Sequence, residues 1–497
     1  MIWWLFAACV LATIPAGLRW LRVAQREHYL PSAVATFAGR WWTSGPANLS
    51  LLGLMLIGLV GSWWSIWWAF LVPAAQVGPV GLSIKGRSSP LAWTARLRRV
   101  SVLAGILASA VFGYGAAIGS AFFLAIGVFL LPALVDLALL AMGPVEQMLG
   151  NRWVDQAAAR LKTSGAKVVA ITGSYGKTTT KQYVAHLLAG RFRVVASPAS
   201  FNNRMGLARA INEHLLPGTE VFVAEMGTYG PGEIDQLTRW IRPDVAAMVA
   251  IGPVHLERFR DEERIVTAKA EILDRAGVGV ISVDHPLLSR LAADRAERME
   301  VITVSGEGSA ARVSVGYGVV RVDGTEVGEV PSDVFGVNLA TAIGVGLALG
   351  VGPSEMTSRL GGLPRPEHRQ TVSISQRGFT VIDDTFNSNP AGARAALGLL
   401  ERSVDGGRKV VVTPGMVELG PRQHQENVSF AADSSIRADD LVIVGRTNRG
   451  ALLEGSGKGP ASVTVVSSRQ EAVDWVRDHL GPGDAVLYEN DLPDHYP

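Results

Sequence analysis

Two stretches of this chain run without a formal charge for far longer than one helix needs. Residues 41–84 (44 positions) and 100–135 (36 positions) contain no Asp, Glu, Lys or Arg. One helix crosses the hydrocarbon layer of a bilayer in about 20 residues, so each stretch suits a hairpin of two crossings. The first would turn at Gly61 and Ser62, leaving Trp63, Trp64, Trp67 and Trp68 at headgroup level as an aromatic belt; the second would turn at Gly119 and Ser120. Residues 1–18 are also apolar, and basic residues follow them instead of preceding them, which favours a span over a cleaved signal. Arg19, Arg22, Arg26 and Arg40 fill one loop, and Lys85, Arg87, Arg96, Arg98 and Arg99 fill another. Both basic loops belong on the cytoplasmic side, so an even number of crossings separates them. The expectation is five spans, N-terminus outside and the remaining chain inside, or four if residues 1–18 only lie at the interface or one run crosses once. Asp136, near a span end, is no ion path, so this part reads as an anchor or lipid-facing platform.

Composition places the boundary. Residues 1–150 hold nine Lys/Arg, three Asp/Glu and ten of the thirteen Trp, while the rest holds 37 basic and 41 acidic residues, ordinary for a water-soluble body. At 497 residues the chain exceeds one core, and the division expected is a membrane part at 1–150 followed by α/β domains at 151–368 and 369–497. Cys9 is the only cysteine, so there is no disulfide framework and no thiolate metal cluster, which fits a reducing compartment.

After a helical linker at 151–161, residues 167–172 (K-V-V-A-I-T) read as a buried strand and 178–188 as a helix closed by Gly190. Between them stand Gly173, Ser174, Tyr175, Gly176, Lys177, Thr178 and Thr179. A strand, a glycine turn and a helix N-terminus aim backbone N–H groups at one point where the helix dipole favours phosphate; Lys177 adds a mobile cation and Thr178 a hydroxyl for Mg²⁺. The spacing is one residue short of G-x-x-x-x-G-K-[ST], because position 171 is Ile. A chance G-K-T remains the bland alternative, which the strand–turn–helix setting disfavours.

Residues 172–179 (T-G-S-Y-G-K-T-T) resemble the shortened P-loop of the Mur ligases, ATP-dependent amide-forming enzymes of peptidoglycan synthesis. Five further ordered groups share the likeness, most of them with its MurF branch: 200–206 (S-F-N-N-R-M-G), 221–227 with 232–234, 253–257 with 267–272, 366–369 with 383–390, and 415–420. The resemblance covers residues 167–444 and implies α/β domains of two kinds behind the transmembrane helices, a P-loop central domain and a Rossmann-like C-terminal one. It further implies ATP and Mg²⁺, Asn202 and Asn203 toward the substrate, Lys269 as a carbamylated lysine, and Asn338 near the nucleotide. In the C-terminal domain Asp384 would meet the ATP ribose or phosphates, Arg369 the domain hinge, and Asn387 and Asn389 the incoming amine; a plain helix-start turn explains 387–390 equally well.

The residues support the chemistry on their own terms. Glu225 ends an apolar strand just before Gly227, so its carboxylate emerges at the C-terminal edge of the sheet, where a doubly wound fold binds ligands; a plain surface carboxylate is the alternative. In a helix opening at Asp261, Lys269 shares a face with Ile265 and Ile272, so it either snorkels along them or loses its charge. His255 beside them is a further ligand or orienting group, and oxygen-rich ligation suits Mg²⁺.

Departures from the family pattern fall on the substrate side. Val337 and Thr341 replace the His and Asn of G-x-H-N-x-x-N, Met416 follows Gly415 with no Asp between, and residues 488–497 (Y-E-N-D-L-P-D-H-Y-P) stand where the MurF branch carries K-G-S. The spans also occupy the place of that branch's nucleotide-sugar-binding domain. The reading is therefore a multi-pass plasma-membrane ligase with cytoplasmic catalytic domains, joining an amino-acid or dipeptide amine to a membrane-presented carboxylate, without nucleic acid and in an oligomeric state left open. A poly-γ-glutamate-synthase-like ligase and a membrane NTPase coupled to binding or transport are the alternatives.

Overall fold

The computed structural model describes residues 1–84, 91–198, 201–253, 256–308, 310–331, 334–364, 370–386, 388–492 and 496. The chain forms two compact units, one of Met1–Leu149 with Gly445–Thr447 and Leu492–Pro497, the other of Gly150–Val444 with Asn448–Asp491.

The first unit is helical. Ile2–Arg26, Ala95–Ala117 and Leu131–Ser164 are each long and apolar enough to cross a membrane, and the pair Ala33–Trp42 and Gly45–Gly61, bent by 109°, makes a fourth candidate. Three or four candidate spans stand among the described residues, beside an expectation of five, or four if one run crosses once. Both turns fall where the charge-free runs placed them, with one helix ending at Gly61 and another at Ala117. The return arms differ. After Gly61 the chain forms only Ile66–Ala69 and Leu71–Ala75, four and five residues, and at about 1.5 Å per residue neither approaches the ~30 Å of a span. The second return is split into Ala121–Phe129 and Leu131–Ser164, and the latter absorbs the expected linker at 151–161. Trp63, Trp64, Trp67 and Trp68 are exposed, as an aromatic belt requires. Asp136 accepts from the backbone N–H groups of Val34 (3.2 Å) and Ala35 (2.8 Å), so it caps the helix Ala33–Trp42, where the dipole favours an anion.

The second unit holds two sheets. The larger contains β1 (Lys167–Thr172), β2 (Val194–Ala196), β3 (Val221–Glu225), β4 (Val245–Met248), β5 (Val278–Ser282), β6 (Glu300–Ser305), β7 (Val313–Gly316), β8 (Val319–Val322) and β9 (Thr325–Glu329), in the spatial order β2-β3-β1-β4-β5-β6-β7-β8-β9. Pairing is parallel from β2 to β7 and antiparallel beyond it. β1 and β3 are buried almost throughout, as central strands covered on both faces must be. Val168, Ala170 and Phe222 point into one apolar layer, and Val169, Ile171 and Val223 into the other. The second sheet contains β10 (Thr371–Ile374), β11 (Thr380–Asp384), β12 (Lys409–Thr413), β13 (Asp440–Val444), β14 (Ser462–Val466) and β15 (Ala485–Glu489), ordered β10-β11-β15-β12-β13-β14 and parallel except at β10. It bears out the expected second α/β domain, and carries the helices Pro390–Ser403 and Arg469–His479.

Candidate nucleotide and metal site

The strand β1 delivers the chain into the loop 173–179, and the helix Lys177–Leu188 leaves it. Gly176, the residue before that helix, has φ +76°, and a Cβ there would lie 2.6 Å from Asn338 Oδ1, so only glycine fits the turn. The same contact places Asn338, buried on the helix Gly336–Ala348, against the loop. Lys177 donates its ammonium to the carbonyls of Gly173 (2.6 Å) and Ser174 (3.2 Å), folded over its own loop. Tyr175 packs its ring on Gly252, where a Cβ would come within 2.4 Å of it. Thr341 donates to Val337 O (2.7 Å), one turn back in its own helix.

Glu225 ends β3, the neighbour of β1, and is 3% exposed. Its Oε2 accepts from the Thr178 hydroxyl at 3.0 Å and from the Lys181 ammonium at 2.9 Å; its Oε1 accepts from Asn202 Nδ2 at 3.4 Å. Burial alone would push this carboxyl up, but the charges of Lys181 and Lys177 and the hydrogen bonds from Lys181 and Thr178 prevail and hold it below the usual carboxylate range. Sequence reasoning missed Lys181. Its signal was spacing alone: four residues after Lys177, it lies on the same helix face.

Lys269 lies on the helix Glu262–Ala270, whose N-cap Asp261 accepts from Arg264 N at 2.8 Å. Ile265, Lys269 and Ile272 are all buried, which bears out the shared face. At 3% exposure the side chain does not snorkel to water. Burial, reinforced by the charge of Lys177, pushes its ammonium well below the ordinary lysine value. Glu271, two residues on, accepts from the N–H groups of Gly232 (2.7 Å) and Asp235 (2.9 Å), holding the start of the helix Glu233–Ile241. The motif quoted around Lys269 therefore contains a structural clamp that the sequence reading left without a role.

The other expected residues are dispersed. Asn203 caps the helix Arg204–His214 by accepting from Gly206 N (2.9 Å), and Asn389 caps Pro390–Ser403 by accepting from Gly392 N (2.9 Å), the plain helix-start arrangement. Asp384 is buried at the end of β11 in the second sheet. His255, Arg369 and Asn387 lie outside the described residues. The two sheets meet through Leu256 N, which donates to Glu418 O (3.0 Å), and the ion pair of Arg422 with Glu262 (3.1 Å).

Among the described residues no three His, Cys, Asp or Glu side chains converge as a metal cage. A hydroxyl and a carboxylate 3.0 Å apart at a phosphate-type loop instead fit Mg²⁺, which is held by one or two protein oxygens and completes its shell with phosphate and water.

A nucleotide-type loop on a doubly wound sheet, a buried carboxylate beside it and a second Rossmann-like sheet define a two-domain P-loop α/β protein. Residues 171–341 match the Mur ligase middle domain and 368–488 the Mur ligase glutamate ligase domain. The chain belongs to the Mur ligase family and is an ATP-dependent ligase of that type. It is 31% identical to the UDP-N-acetylmuramoyl-tripeptide–D-alanyl-D-alanine ligase of Mycobacterium leprae over 66% of this chain and 72% of that one. Against the enzyme of the same name from Bacillus subtilis it is 27% identical, over 67% of this chain and 75% of the relative. A crystal structure of MurF from Acinetobacter baumannii superposes with a TM-score of 0.61 at 25% identity, covering 69% of this chain and 78% of that one.

Proposed function

We propose that the chain is a membrane-anchored amide-forming ligase of cell-wall synthesis, related in reaction to the D-alanyl-D-alanine-adding relatives. The observation that carries the reading is the convergence of Thr178 and Glu225 at the phosphate loop, at 3.0 Å. In the proposed reaction an acceptor carboxylate attacks the γ-phosphorus of ATP, releasing ADP and leaving an acyl phosphate. An amino-acid or dipeptide amine then attacks the acyl carbon, expelling phosphate and losing a proton. Loop N–H groups and Lys177 hold the phosphates and offset the charge that grows on the transferred group. Mg²⁺, held by Thr178 and Glu225, would neutralise phosphate charge. Lys269, carbamylated, would add an anion to that centre, with His255 adjacent. Asp384, Asn338 and Arg369 serve the nucleotide, and Asn202, Asn203, Asn387 and Asn389 the substrates.

The acceptor is proposed to be presented at the membrane. Three apolar helices of spanning length precede the catalytic unit, and neither family match extends into residues 1–170. A body tethered to the bilayer meets a lipid-borne substrate at raised effective concentration. Mass spectrometry of membranes supplied with ATP and candidate amines tests this. A new amide product is expected with the wild type and none with Lys177→Ala. Saturable binding of a free UDP-muramoyl peptide, with none for its lipid-linked counterpart, would refute membrane presentation.

A further inference from the structure

The C-terminal edge of the second sheet contains a buried acid with no part in the reaction just described. Glu489, the last residue of β15, is 0% exposed and lies beside Asp384 in the parallel register of β15 with β11. Its Oε2 accepts from the Thr413 hydroxyl at 2.7 Å, and its Oε1 accepts from the Ser388 hydroxyl. Thr413 sits at the end of β12, and its oxygen in turn accepts from Gly415 N at 2.9 Å. Gly415 has φ +76°, and a Cβ there would be 2.4 Å from Asn427 Oδ1, so this turn has one available path. The next residue, Asn490, donates its amide to Gly415 O (2.6 Å) and its N–H to Asp384 O (3.1 Å). One carboxyl therefore joins the exits of three adjacent strands.

The geometry points to Glu489 as a positioning residue that fixes the end of β11 at Asp384, and the loop that runs from it to Asn389, to the turn after β12. This rests on the reading of Asp384 as a nucleotide contact. Ser388 and Thr413 present neutral hydroxyls, and Asp384 is the one charged group facing Glu489 among the described residues. Burial, added to by Asp384, pushes the carboxyl up to about 8 despite the hydrogen bond from Thr413. The group is therefore a neutral acid at neutral pH, and losing its proton sets a second anion against Asp384.

The sign follows from proton binding. The unfolded chain releases this proton near pH 4.3, an ordinary glutamate value, whereas the folded chain keeps it to about pH 8. The stabilisation is complete at low pH and is lost as pH rises toward 8. Full-length protein in detergent, as wild type, E489Q and E489A, is compared from about pH 5 to about pH 9.5 by thermal unfolding and by binding of ADP. The wild-type Tm is expected to fall with rising pH more steeply than that of E489Q. At about pH 9.5, E489Q should bind ADP about thirtyfold more tightly than the wild type, roughly a decade for each pH unit above a titration point of about 8. E489A should bind weakly throughout. Coincident Tm slopes for wild type and E489Q overturn the proposal, as does wild-type ADP affinity in a folded E489A. A retained slope difference with no ADP binding in any variant supports the tie and refutes the nucleotide role of Asp384.

Discussion

At the scale of single residues, Glu225 and Lys181 form the buried ion pair beside the phosphate loop. Both side chains are 4% exposed, so removing one leaves a charge in a low-dielectric interior without its counter-charge. Lys181→Met is expected to destabilise the fold by about 3 kcal/mol in urea titration. Lys181→Met with Glu225→Gln should recover much of that loss, because the second change removes the stranded charge. A single mutant within about 0.5 kcal/mol of wild type would show that the pair is not a desolvated unit. Lys269 behaves differently, since it has neither ion pair nor hydrogen bond among the described residues and its burial works against its charge. Lys269→Ala is expected to abolish ligation and to regain part of it with added short-chain carboxylates, which restore an anion to the vacated volume. Full activity without them would make the lysine a packing residue.

Among elements, the β1–loop–helix unit was legible in sequence because its signals are local: four apolar residues, a glycine, then G-K-T. β1 falls on the expected residues and β3 ends at Glu225 as expected. Lys181 was not legible in the same way, because its partner lies 44 residues away and meets it only once β3 pairs with β1. The short return arm after Gly61 was not legible for a related reason. Absence of charge measures hydrophobicity over a window, and it does not register that residues 62–75 break into two short helices capped by Ser65 and containing Pro73. Glu271 shows a motif residue whose work is mechanical. Glu271→Ala leaves the N–H groups of Gly232 and Asp235 without their acceptor. A loss of about 1–2 kcal/mol is expected, the scale of a helix cap. Because the clamp lies two residues from Lys269, kcat should fall with it. Unaltered chemical stability in Glu271→Ala would show that water replaces the clamp without cost.

For the whole molecule, the helical unit and the α/β unit differ in what surrounds them. Trp3, Trp4, Trp63, Trp64 and Trp67 are each more than 65% exposed, an arrangement suited to a membrane interface and costly in water. The full chain is therefore expected to stay with bilayers through alkaline carbonate washing and to leave them only with detergent; release by carbonate would mean it does not span. The central claim concerns chemistry, and amine-dependent ADP release by the detergent-solubilised full chain tests it most directly. With ATP, Mg²⁺ and membrane-derived acceptor present, ADP release should rise on adding the amine, match amide formed one for one, and vanish in Lys177→Ala. ADP release at the same rate without amine, and without amide product, would contradict a ligase and mark the chain as an NTPase.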